Sequence, residues 1–335
     1  EFVDLVPTVL SLAGIKVPKS VDGKPFLGKK LKKSEIERQN VTFGYADRFD
    51  EKYDLVRSVR KGKFKYIRNY QPFNVDGLYN FYRYKMLAYK EWYNLFQNGK
   101  LNEVQSQFFK PRTPEALYNI EEDPHETKNL ANDDNYNETL TGLRNELNNH
   151  LISINDLSFL PEPHLLQNGL DDIVDYSEKN KDLIKSLIEI SDLMLYDYNE
   201  VSSQIKDALN NDNPWVRYWG LIVSSTFGDL ALENNEKINF IFENDSENLV
   251  RMRAAEFMLL NNIEISDSKI NSLLVRSNFE AEANLMLNTL ANLKTKNSNF
   301  KLELGKEVYP NNWFPPIRNE NALVNRRMNY LTNNE

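Results

Sequence analysis

The 335-residue sequence contains no cysteine, which excludes disulfides, thiolate metal sites and cysteine nucleophiles within it and leaves its redox compartment unmarked. Histidine is scarce: His125, His150 and His164 each stand alone, without the repeated ligand spacing of a zinc or iron site. No stretch approaches the roughly 18 consecutive apolar residues of a bilayer-spanning helix, so membrane insertion is not expected. A basic excess is also missing. Lys and Arg number 41 against 49 Asp and Glu, a formal net charge of -8, which argues against a nucleic-acid partner. The few glycines form no phosphate loop, no dinucleotide fingerprint and no Gly-x-Ser-x-Gly elbow.

What is present is a globular composition, 41% hydrophobic and 12% aromatic, with room for about two domains. The opening EFVDLVPTVLSLAG reads as the interior of a helix, with Pro7 in the first turn and Gly14 as its stop, so a piece of a longer protein is expected. A loop follows, punctuated by Pro18, Gly23, Pro25 and Gly28, with turn chemistry at Asp22-Gly23. VTFGYADRF reads as a strand, and residues 54–70 as a hairpin turning at Lys61-Gly62. Its second arm is expected to place Lys63, Lys65 and Arg68 on a solvated face. Tyr82, Met86, Tyr89, Trp92, Tyr93 and Phe96 recur at helical spacing, a stripe expected in the core. A strand at residues 117–120, a polar turn at Asp123-Pro124 and a helix over residues 137–152 follow.

At SFLPEPHLLQNG, residues 158–169, two prolines and a loss of periodicity suggest a linker or boundary. Almost everything beyond is helical. NNDNPWVRYWGL resembles ENDSENLVRMRAA, with Val216-Arg217 recurring as Val250-Arg251, 34 positions later, and a fainter third copy begins at Glu280. Helices that cannot bury their faces alone need stacked neighbours, so a short HEAT-like array is expected over residues 170–300, its repeat class left open by the short period. Arg217 and Arg251 are expected to pair with acidic residues between helices, and Trp215 and Trp219 to lie in the core.

The densest polar cluster is ADRFDEKYDLVRSVR, at the junction of two expected strands. Its arginines suit sulfate, phosphate or carboxylate groups, because a guanidinium matches two oxygens at once; an ordinary network of loop ion pairs is the other reading. Asp133-Asp134 and Asp171-Asp172 read as solvated surface rather than cation sites.

Three ordered motifs carry a resemblance. VDLVPTVLSLAGIKVPKSVDGKPFLG is similar to the VDL-x-PT-x-L-x-LAG stretch that follows the active-site core of formylglycine-dependent sulfatases. DRFDEKYDLVRSVRKGKFKYIRNYQP resembles their R-x-VR-x-x-KYI-x-N hairpin, and ALYNIEEDPHETKNLAND their ELYDL-x-x-DP-x-E-x-x-NLA motif. Later segments resemble a bacterial, arylsulfatase-like or heparan N-sulfatase-like subgroup with a helical extension.

The resemblance implies the α+β C-terminal subdomain of an alkaline-phosphatase-like sulfatase fold, a small antiparallel sheet plus helices, followed by an all-α HEAT-like repeat region. It implies a division into residues 1–160, the C-terminal part of the sulfatase domain, and 161–335, the helical repeats with a C-terminal tail. It implies hydrolysis of sulfate esters or sulfamates of carbohydrates by a formylglycine nucleophile and calcium. No serine here heads the C/S-x-P/A-x-R motif that yields formylglycine, and the family's calcium ligands lie upstream of the matched stretch. This chain alone is therefore expected to be inactive, to bind no calcium itself and to supply one wall of a cleft. Asp47, Arg48, Asp54 and Arg57 are the expected contacts to a sulfated carbohydrate. The family also implies a periplasmic or secreted protein. The competing expectation is a non-enzymatic helical-repeat module that binds a protein, a glycan or a second copy.

Overall fold

The computed structural model describes residues 1–28, 31–38, 40–277, 279–296, 303 and 323–332. The expected C-terminal tail, apart from its last helix, lies outside the described residues. Two compact units emerge. The first comprises residues 1–45, 56–68 and 115–150, the second residues 46–55, 69–114 and 151–335. Among the described residues no helix is long and apolar enough to cross a membrane.

In chain order the elements begin with α1 (Leu5–Leu12), α2 (Lys33–Arg38), β1 (Val41–Phe49), β2 (Lys52–Lys61) and β3 (Phe64–Asn69). Next come α3 (Phe81–Lys85), α4 (Leu87–Gln97), α5 (Glu103–Ser106), β4 (Glu115–Asn119), α6 (Asn137–Ser153), α7 (Glu162–Asn168), α8 (Ile173–Lys179) and α9 (Lys181–Ser191). The series ends with α10 (Tyr198–Leu209), α11 (Pro214–Phe227), α12 (Asn235–Asn244), α13 (Asn248–Leu260), α14 (Asp267–Val275), α15 (Glu280–Lys296) and α16 (Leu323–Thr332). The four strands form one sheet in the order β1-β2-β3-β4. Connections as short as those between β1 and β2 and between β2 and β3 join only antiparallel neighbours, and β3 runs antiparallel to β4 with Tyr66 opposite Leu117 and Arg68 opposite Glu115.

In the first unit, α1 stops where the glycine signal places it. Gly14 has φ +74, its N–H bonds the Ser11 carbonyl, and the Ile15 N–H reaches back to Leu10 at 2.9 Å, the paired bonds of a Schellman stop. Asp4 and Thr8 tie the following loop to this helix by accepting the N–H groups of Lys24 and Phe26. Gly23, at φ +80, passes so close to the Val3 carbonyl that a Cβ would collide with it. Along β3, Tyr66 and Arg68 share one face and both are buried. Arg68 therefore corrects the expectation of a solvated charge: strand alternation carries it to the same side as Tyr66.

The Asp-Pro and Asn-Leu-Ala segments are built into this unit as staples. Asp123 accepts N–H groups from Thr127 and Lys128, and those backbone bonds, Lys128 first, hold its carboxyl below the usual range. Asn129 accepts the N–H groups of Leu117 and Ala131, each at 2.9 Å, and so pairs with β4 in place of a strand. Leu140, Leu143 and Leu147 of α6 are buried at helical spacing.

In the second unit α11 packs on α9, α10 and α13; α13 also packs on α12 and α15, and α15 on α16. Trp215, Val216, Trp219 and Leu221 of α11 are buried, as are Val250, Ala254, Ala255 and Phe257 of α13, so the two tryptophans lie in the core as expected. Arg217 bonds Asp245 with two nitrogens, at 2.7 and 3.0 Å. Its repeat counterpart Arg251 instead donates to the Phe242 carbonyl. The segment expected as a linker is ordered: Phe159 and Leu160 are buried, and Pro161 caps α7 with Pro163 in its first turn, where a missing N–H costs no helical bond.

Candidate functional site

The four residues singled out by sequence occupy different surroundings. Asp47 accepts a hydrogen bond from the Ser158 hydroxyl at 2.9 Å. Arg48 pairs with Glu162 at 3.1 Å and keeps about two fifths of its side chain exposed, 41%. Arg57 belongs to the first unit, where it is buried, donates to the Val56 carbonyl and lies 6.0 Å from the centre of the Tyr45 ring.

Asp54 is the centre of a buried polar network in the second unit. Two Arg112 nitrogens approach it at 2.9 Å, and Lys52 lies 3.9 Å away. Arg112 also reaches Asp76 at 3.2 Å and the Gln71 carbonyl. Burial pushes the Asp54 carboxyl up, but Arg112 and Lys52, with hydrogen bonds from Arg112 and the Leu55 N–H, outweigh it and hold the group below its ordinary range. The same burial pushes the Lys52 ammonium down against the pull of Asp54 and Asp76.

Gln71 joins this network to α13. Arg253 donates to the Gln71 side chain at 3.0 Å, to the Tyr218 hydroxyl at 2.9 Å and to Glu256 at 2.6 Å. From α15, Asn284 donates to the Glu51 carbonyl, Asn288 pairs with both the N–H and the carbonyl of Tyr53, and Asn292 donates to Asn74. Arg327 of α16 bonds the carbonyls of Glu51 and Tyr79. Burial pushes this guanidinium down to about 10, leaving it charged at neutral pH. Sequence reasoning did not find this seam, because asparagines spaced four apart on a helix read equally well as a solvated face.

A cavity of about 540 Å³ opens among α3, α4, α15 and α16. Its charged walls are Lys85, Lys90, Lys294 and Arg326, and none of the lining residues is acidic. Arg326 lies against the rings of Phe81 and Tyr82, at 4.9 and 4.7 Å, with Glu51 3.6 Å away. Lys294 donates to the Tyr330 carbonyl at 2.7 Å, and burial lowers its pKa. Lys85 sits 4.1 Å over the Phe81 ring. The aromatic stripe expected in the core is half-buried at Tyr89, Trp92, Tyr93 and Phe96, which pack on Phe108 and Phe109, and of these Tyr93 also lines the cavity. The lysines interleaved with the aromatics at positions 85 and 90 were the signal for it.

Among the described residues no group of three or more His, Asp or Glu is placed to hold a metal ion, so no residue is assigned to calcium. His125 is exposed, His150 stacks on Phe43 and His164 bonds the Tyr176 hydroxyl.

No family model matches the chain. It is 42% identical over 167 residues to an ulvan-active sulfatase of Formosa agariphila, a match covering 50% of this chain and 27% of that protein. A second ulvan-active sulfatase of the same organism is 28% identical over 139 residues, covering 41% of this chain and 25% of the relative. The match therefore covers about a quarter of the length of each of these relatives.

Proposed function

We propose that this chain is the C-terminal portion of a formylglycine-dependent sulfatase that hydrolyses sulfate esters of carbohydrate, ulvan or a sulfated polysaccharide of its kind. The observation that carries the reading is the likeness to an ulvan-active sulfatase over half the chain. The apolar face of α1 supports it: Val6, Val9 and Leu12 are 57%, 63% and 56% exposed, as expected of a helix whose packing partner lies in another part of a larger fold.

In this reading residues 1–160 complete the sulfatase domain and residues 161–335 form a HEAT-like extension able to carry a protein partner or a second copy. The nucleophile and calcium ligands belong to another part of the protein, which is exported to the periplasm or beyond. Asp47, Arg48 and Asp54 of the second unit, and Arg57 of the first, are each carried forward as substrate-binding residues. Arg48 is the most accessible of them, and Asp54 acts by fixing Arg112. Sulfate release from ulvan by the full-length protein tests the proposal. Release is expected, and it should stop when the formylglycine precursor is replaced by alanine. A purified, correctly folded protein that liberates no sulfate from ulvan, other sulfated glycans or aryl sulfates would overturn it.

A further inference from the structure

None of Asp47, Arg48, Asp54 and Arg57 lines the cavity among α3, α4, α15 and α16. Its volume of about 540 Å³ falls within the range of small-molecule sites. All of its charged lining is cationic, and neither Lys85 nor Lys90 has a carboxylate partner among the described residues. Tyr79 and Tyr330 stack at 4.3 Å and Tyr84 meets Tyr93 edge-on at 5.7 Å, so the rings brace one another as rigid walls. Side-chain amides of Asn94, Gln97 and Asn329 complete the lining.

Cations beside apolar rings select an anion with an apolar face, because low local polarity strengthens the charge interaction while the rings cover carbon. The amides supply donors and acceptors for hydroxyl groups. We propose that this cavity is a binding site for a short anionic saccharide carrying sulfate or carboxylate groups. The choice of a sugar over other anions rests on the sulfatase reading; the preference for an anion rests on the cavity itself.

The test is hydrogen exchange on the full-length protein with a short size-fractionated ulvan oligosaccharide, its chemically desulfated counterpart and ATP. The sulfated sugar is expected to slow exchange in α4 and α16. Calorimetry should show about tenfold weaker binding at this site in Lys85→Ala/Lys90→Ala, equivalent to about 1.4 kcal/mol, with binding restored by Lys85→Arg/Lys90→Arg. Protection that survives desulfation supports a carboxylate ligand, and protection that disappears supports a sulfate ligand. Absence of protection in α4 and α16 with wild-type protein overturns the proposal without any variant, as does protection by ATP alone. Sulfate release measured on the same preparation separates the two readings: release without protection removes this site only, and protection without release removes the sulfatase assignment only.

Discussion

In the first unit the ion pairs Lys61–Glu146 and Lys65–Glu126 lie toward solvent, while α1 leaves valines and leucines exposed. In the second, Arg253–Glu256 and Asp54–Arg112 are enclosed, and Ile222, Val250, Leu274 and Leu290 fill the spaces between helices. The contrast teaches where specificity resides. An exposed pair contributes about 0–1 kcal/mol. A buried pair loses hydration that its attraction barely recovers, yet removing one partner strands the other. The enclosed pairs of the second unit therefore fix which groups meet, while most of the cohesion comes from apolar packing.

The sharpest way to break the comparison is Arg253→Met, which leaves Glu256 buried without its guanidinium. A loss of about 3–5 kcal/mol is expected by urea unfolding, and Arg253→Met/Glu256→Leu should recover most of it. Equal losses in the single and double variants would contradict the pairing argument.

Asp54→Asn should lower stability by about 2–3 kcal/mol at neutral pH, because Arg112 retains only Asp76 and a carbonyl. The sign with pH is fixed by the depressed folded pKa of Asp54. Its contribution is full above the unfolded carboxylate value near 3.8 and is lost as pH falls from there through the lower folded value. Acid titrations of the wild type and the variant should therefore converge below that pH.

Asn288→Ala should cost about 1–2 kcal/mol by the same unfolding assay, since it strips partners from the Tyr53 backbone. At the small end, Val9→Lys should change stability by no more than about 0.5 kcal/mol while reducing aggregation measured by light scattering. A large loss of stability there would mean that α1 is packed rather than exposed.

Local signals in the sequence were read well where the chain decides its own conformation. The bounds of β1, the turn after Lys61, the Gly14 stop and the α6 helix all follow from neighbours within a few residues. Reading failed where a distant element decides. Arg68 looked solvated because the face of β3 is chosen by what packs on it. Residues 158–169 read as a linker or boundary because prolines that start a helix, as Pro161 and Pro163 do for α7, resemble prolines that prevent one. The cationic cavity was hidden inside an aromatic periodicity that fits core and binding wall alike. Of the four residues proposed from sequence, the charge was legible but the commitment of Asp54 to Arg112, 58 positions away, was not.

Beyond Asn69 the strand β3 gives way, after the Tyr70 N–H reaches Leu55, to Gln71 and Pro72, and proline has no N–H with which to continue a ladder. The Asn288 amide takes that place, accepting the Tyr53 N–H at 2.9 Å and donating to its carbonyl at 3.1 Å. The bond joins residues 235 positions apart. Exchange of the amide proton at residue 53 with solvent deuterium requires that this bond open, so a single backbone proton in a strand is a clock for the departures of a helix encoded far downstream.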